Sequence, residues 1–132
     1  MKKLENFSNC LDVLQSADFD LAGNDEIYRT GVIGQFNLTF ELAWKALQAV
    51  LRVHGVQDAQ IGSPREILQL GYKTGFIDDS AVWLLMLKMR NSSVHIYNED
   101  AADEMLLLIR DSFIRAFIEL RITLRSKELL EN

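Results

Sequence analysis

Among 132 residues there is one cysteine, Cys10, and one proline, Pro64. A single thiol forms no intrachain disulfide, so nothing here points to an oxidising compartment. The near absence of proline leaves no proline-rich linker, and the length suits one domain, residues 1–132, around one core. Positive charge is also short: 14 Lys and Arg against 19 Asp and Glu, a net charge of −5. Phosphate-backbone affinity grows with the number of cationic contacts, so the balance excludes a protein that coats nucleic acid by bulk attraction and leaves only a local site. Two histidines and no Glu-x-x-His pair exclude a di-iron bundle and leave no evident metal site. The chain contains no internal repeat, no alternating run that reads as a strand, and no apolar run near the ~20 residues of a membrane span. The first residues, MKKLENFSNCLDVL, carry Glu5 and Asp12 where a signal peptide needs unbroken apolar sequence, which predicts a cytoplasmic location.

What remains is helical periodicity. A first helix is expected over 2–17, with Phe7, Cys10, Leu11 and Leu14 as its stripe, followed by a connector over 18–24. A long helix follows over 25–54, ended by Gly55. Ile33, Phe36, Phe40, Ala43, Leu47 and Val50 line one face, and Leu38, Leu42, Ala49 and Val53 a second, which predicts packing on two sides. Gly31 and Gly34 inside it each cost about 1 kcal/mol relative to Ala, which suggests close approach by another helix. Ser63-Pro64-Arg65-Glu66 is a capping box that opens a third helix, with Gly75 at its end. A fourth, capped by Asp78 or Asp79, begins apolar all round at 81–87 and reads as enclosed. A fifth, capped by Asn98, runs over 99–130 with Ala102, Met105, Ile109, Phe113, Ala116 and Leu120 inward. The expected fold is therefore all-α, an elongated and mostly antiparallel bundle of about five helices. A second apolar row, Leu107, Ile114 and Ile118, suggests self-association. The late cations Arg110, Arg115, Arg121, Arg125 and Lys127 read as a solvated face.

The candidate chemistry lies at RNSSVHIY, residues 90–97, where the most apolar helix ends. Arg90 can stabilise anionic charge, His95 can move protons near neutral pH, and Asn91, four residues before His95, can orient the imidazole. On an ideal helix Arg90 and His95 would be about 140° apart, so the helix must unwind before His95 or a second copy must complete the site. Glu41, Trp44 and Lys45 on the long helix are further candidates for substrate binding. Their plainer reading is a surface i,i+4 pair, worth about 0.2–0.5 kcal/mol, beside a core-bordering Trp.

Arg90 followed by Asn91, with four intervening residues in all before His95, resembles the motif of the HEPN superfamily. With Tyr97 the stretch is similar to that of HepT-type toxins, the partners of minimal nucleotidyltransferases. FNLTFELAWKAL at 36–47 and SPREIL at 63–68 resemble the nucleotidyltransferase substrate-binding subunit family over nearly the whole chain. The resemblance implies a homodimer with both protomers' motifs lining a cleft, and metal-independent RNA cleavage without a cofactor, in which a 2′-hydroxyl attacks the adjacent phosphate. His95 would then be the general acid or base, Arg90 would stabilise the phosphorane, and Asn91 would assist. It also implies a small nucleotidyltransferase as partner, the antitoxin to this toxin, which can attach AMP to Tyr97. The competing reading of the same family is a noncatalytic subunit that holds substrate for a two-component nucleotidyltransferase, through residues such as Glu41, Trp44 and Lys45.

Overall fold

A computed structural model describes residues 1–93 and 98–131, with side chains described as far as Glu128. The described residues form a mostly antiparallel helical bundle without a strand: α1 (Lys2–Gln15), α2 (Phe19–Asn24), α3 (Glu26–Val53), α4 (Pro64–Lys73), α5 (Ser80–Ser92), α6 (Glu99–Leu108) and α7 (Ile114–Glu131). A short 3-10 turn, Gln57–Ala59, joins α3 to α4, and a π-helical turn, Ile109–Phe113, joins α6 to α7 without a break.

Local chemistry explains most of these boundaries. Asp25 Oδ1 accepts from the Tyr28 amide at 2.9 Å and starts α3. The Ser63 hydroxyl accepts from the Glu66 amide while the Glu66 carboxylate accepts from the Ser63 amide, completing the expected capping box. Asp79 caps α5 and Asn98 caps α6. Gly55 stands at φ +77° after α3, a conformation that costs a side-chain-bearing residue about 1–2 kcal/mol. The segment over 18–24 is not a plain connector, because Asp18 caps the Leu21 amide and nucleates α2.

The core gathers around α3, which touches every other helix. Phe7, Phe36, Phe40, Phe113 and Phe117 are fully buried, with Phe36 stacked on Phe113 at 5.2 Å and Trp83 edge-on to Phe117 at 5.5 Å. Each such pair adds about 0.5–1.5 kcal/mol beyond area burial. The expected inward row of the last helix is buried throughout. Phe117, outside that expected row, is buried as well, and Met105, Ile109, Phe113 and Phe117 follow in steps of four, which drift about 40° each on an α-helix; the wider π turn takes up that drift and keeps these residues facing the core.

Several expectations fail for identifiable reasons. Leu38 and Val53 are about half exposed, so α3 buries one broad face and not two. Gly31 and Gly34 face open space, with nothing within 4 Å of an added Cβ; the close approach is at Gly71 instead, where a Cβ would meet Leu47 Cδ2 at 2.9 Å. On α5 only Trp83, Met86 and Leu87 are buried, so its apolar start is not enclosed on all sides. Of the second apolar row, Leu107 is exposed while Ile114 and Ile118 pack partly against the core. Arg121 is also not on a solvated face, because it is turned onto α1. Among the described residues, no helix is long and apolar enough to cross a membrane.

Candidate functional site around Arg90

Arg90 lies in the last turn of α5, and one face of α3 receives it. Asn37, Phe40, Glu41 and Trp44 recur there at the i, i+3, i+4, i+7 spacing that aligns side chains along a helix. The guanidinium carbon lies 5.5 Å from the centre of the buried Phe40 ring. Arg90 Nη2 donates to Glu41 Oε2 at 3.1 Å. The same oxygen accepts from Trp44 Nε1 at 3.1 Å, and Lys45 Nζ stands 3.3 Å from Oε1. The anticipated Glu41–Lys45 pair and core-bordering Trp44 are thus present, and both are joined to the motif arginine, a contact that no local spacing reveals across 49 residues.

The backbone of Arg90 is held as well. The Ser93 hydroxyl donates to the Arg90 carbonyl at 2.8 Å, which uses its only hydrogen. Ser93 Oγ must then accept from Asn37 Nδ2 at 2.9 Å, and this fixes the amide with its oxygen pointing away. That Asn37 oxygen and Arg90 Nε are both buried without a partner among the described residues.

Burial pushes the Glu41 carboxyl up, but the hydrogen bonds from Trp44 and Lys45 and the charges of Lys45 and Arg90 outweigh it. The group therefore sits below the ordinary carboxylate range and is ionised at neutral pH. Arg90, Lys45 and Glu41 then sum to one net positive charge, a local cationic patch on an acidic protein. The Arg90 side chain is 30% exposed and spends one terminal nitrogen on Glu41, which leaves donor capacity for an external anion.

Asn91 is exposed on α5, and its side chain makes no hydrogen bond to the described residues. His95 and Tyr97 lie outside the described residues. The helix that carries Arg90 ends at Ser92, three residues short of His95.

Beyond Ser93 opens a groove of about 500 Å³ between α3 and the start of α6, lined by Glu26, Arg29, Thr30, Ser93, Asn98 and Glu99 among others. Arg29 is the residue that sequence reasoning missed. Its side chain is 7% exposed, and it pairs with Asp103 at 3.2 Å and Glu99 at 3.6 Å. A sequence signal exists, since Arg29 shares a stripe with buried Val32 and Phe36 at i+3 and i+7. Glu26, Glu99 and Asp103 outnumber this one cation, so a phosphate finds a better electrostatic fit on the Arg90–Lys45 side. Among the described residues no group of three His, Cys, Asp or Glu side chains gathers as a metal site.

Known proteins share this architecture. A crystal structure of a Thermus thermophilus protein superposes with a TM-score of 0.75 at 27% identity, covering 90% of this chain and 98% of that one. A Haemophilus influenzae protein, described as having the fold of a substrate binding domain of a nucleotidyltransferase, superposes at 0.80 over 92% of this chain and 98% of its own; at 22% identity the likeness is one of fold. Among curated sequences, a Haemophilus influenzae relative described as "Probable ribonuclease HepT" is 27% identical over 88 residues, 65% of this chain and 60% of that relative's length. The chain thus spans less than two-thirds of the curated relative that it matches. The profile of the family described as "Nucleotidyltransferase substrate binding protein like" matches residues 2–126, and the chain belongs to that family.

Proposed function

We propose that this protein is a HEPN subunit that partners a minimal nucleotidyltransferase, the toxin half of a toxin–antitoxin pair, and that it cleaves RNA without a metal through Arg90 and His95. The observation that carries this reading is the partly exposed Arg90, seated on Phe40 and Glu41 with donors to spare at the end of α5. A guanidinium held this way meets the charge that builds on a phosphorane better than on the ground-state diester, which is the condition for catalysis. His95 supplies the proton transfers in this scheme and Asn91 assists. The name of the partly matching ribonuclease relative supports the same reading.

The cleft is completed by a second copy. Ile27, Gly31, Gly34 and Leu38 run along α3 as one exposed row that leads to Glu41 and Lys45, with Ile27 86% and Leu38 51% exposed. Such a row supports a close helix contact that brings two Arg90 clusters together. Leu38→Asp is expected to shift the protein from dimer to monomer in analytical ultracentrifugation; an unchanged mass would place the contact elsewhere. The partner transfers AMP to Tyr97, where its bulk and charge oppose RNA binding. A Tyr97 of unchanged mass after incubation with active partner and ATP would rule that step out.

The decisive experiment expresses the chain without its partner and compares wild type, Arg90→Ala and His95→Ala for RNA cleavage and growth arrest. Cleavage by wild type alone supports the nuclease. Folded, unmodified wild type without activity favours the second reading, a noncatalytic subunit that holds substrate for the nucleotidyltransferase. The groove beside Arg29 is the observation in its favour, a cavity of about 500 Å³ whose polar lining includes the buried Arg29, and Ser93 at the end of the motif helix.

A further inference from the structure

We propose that Glu41 is a positioning residue for Arg90, and that with Phe40, Asn37 and Ser93 it forms a cradle on α3 which fixes the guanidinium in the orientation the reaction needs. This rests on the nuclease reading and adds to it a residue that lies 49 positions from the motif arginine.

Three ties converge on Arg90, and a fourth steadies one of them. Glu41 Oε2 takes Nη2 at 3.1 Å, and the Phe40 ring supports the guanidinium at 5.5 Å. Ser93 takes the backbone carbonyl at 2.8 Å, and Asn37 holds Ser93 at 2.9 Å. Asn37 and Glu41 flank the fully buried Phe40 on α3, so the cradle is anchored directly on the core. Glu41 is itself immobilised, by Trp44 Nε1 on one oxygen and Lys45 on the other. A carboxylate that served only surface solubility would have no need of a buried indole donor.

The contact also carries a cost that makes its role readable. A negative charge beside Arg90 weakens the attraction of the ground state for a polyanion, while a fixed guanidinium is more effective when charge develops. Removing the charge should therefore separate binding from turnover. In Glu41→Gln, which leaves Trp44 and Arg90 one neutral acceptor in place of the charged oxygen they share, kcat with an RNA oligonucleotide is expected to fall about tenfold or more, while KM falls or stays level. A role in touching substrate would raise KM, and a role as an obstruction would raise kcat/KM; either result overturns the proposal.

A second readout needs no activity. In nitrogen-15 spectra of the full chain, with the Arg90 signals assigned by their loss in Arg90→Ala, wild type should show restricted guanidinium rotation with resolved Nη resonances. Glu41→Gln should show one averaged resonance at a mildly acidic pH where the wild-type carboxylate is still charged, while a cooperative melt shows that the variant is folded. Averaged signals already in wild type, or restricted ones in a folded Glu41→Gln, would overturn the proposal. Wild type that cleaves no RNA removes the nuclease reading and leaves the spectra to decide on the cradle. Cleaving wild type with Glu41→Gln indistinguishable from it in rate and spectrum removes the cradle alone.

Discussion

Two arginines, Arg90 and Arg121, show how the same side chain is used for opposite ends. Arg121 on α7 is 13% exposed and both of its terminal nitrogens are engaged: Nη1 reaches Asp12 Oδ1 at 2.6 Å, Ser8 Oγ at 3.2 Å and the Ser8 carbonyl at 3.3 Å, and Nη2 reaches Gln15 at 3.2 Å. All of these partners are on α1, so the residue fastens the first helix to the last. Arg90 is more exposed, has one carboxylate partner and keeps a buried Nε with no partner among the described residues. An arginine that spends both terminal nitrogens inside the fold is structural, whereas one that is anchored through a single terminal nitrogen and stays partly exposed is available to a ligand.

Alanine at each position is the hardest test of that contrast. Arg90→Ala should lower RNA cleavage by about 100-fold or more, the scale of removing one oxyanion donor, with little change in melting temperature. Arg121→Ala should do the reverse, costing about 1–2 kcal/mol, a figure reduced by the exposure of Asp12, with turnover per folded molecule intact. Thermal melts beside single-turnover kinetics check both. Equal loss of activity from the two variants would break the distinction.

Lysine substitutions sharpen it with a smaller effect. Lysine keeps the charge but loses the planar fork, so Arg121→Lys cannot reach Ser8, Asp12 and Gln15 at once and should lose about 1 kcal/mol. Arg90→Lys keeps a cation near Glu41 but gives up the fit to Phe40 and the spare donors. It should retain RNA binding and its salt dependence while cleavage falls, as filter binding and kinetics at several salt concentrations would show.

The same contrast marks what is legible in advance. The capping box at Ser63, the caps at Asp79 and Asn98 and the inward row from Met105 to Leu120 depend on residues within a few positions of one another, and all are present. Arg121 escapes local reasoning because a cation on a terminal helix looks solvated until its contact with Asp12, 109 positions away, is known. Gly31 and Gly34 escape it for a related reason, since helix propensity says that glycine is costly but not which surface it serves. The helix α2 is hard to read because its signal is a cap on a six-residue segment with no room for periodicity. At the site, Arg90 and the face of α3 are each legible, but not their junction.

Acid titration gives the smallest effect and bears on the Arg90 side of the contrast. The folded Glu41 carboxyl lies below its ordinary 4.5, so the folded state binds its proton less readily than the unfolded chain. Stability therefore rises with pH wherever the unfolded chain carries more protons. The contribution is fully present above the ordinary value and is lost as pH falls through the folded one. Because the Glu41 side chain is 35% exposed, solvent screening keeps this share small. Melting temperatures of wild type and Glu41→Gln should accordingly differ most at neutral pH and converge below about pH 4. A gap that widened on acidification would mean that the carboxylate does not stabilise the fold through Arg90, Trp44 and Lys45, and the anchored half of the comparison would fall with it.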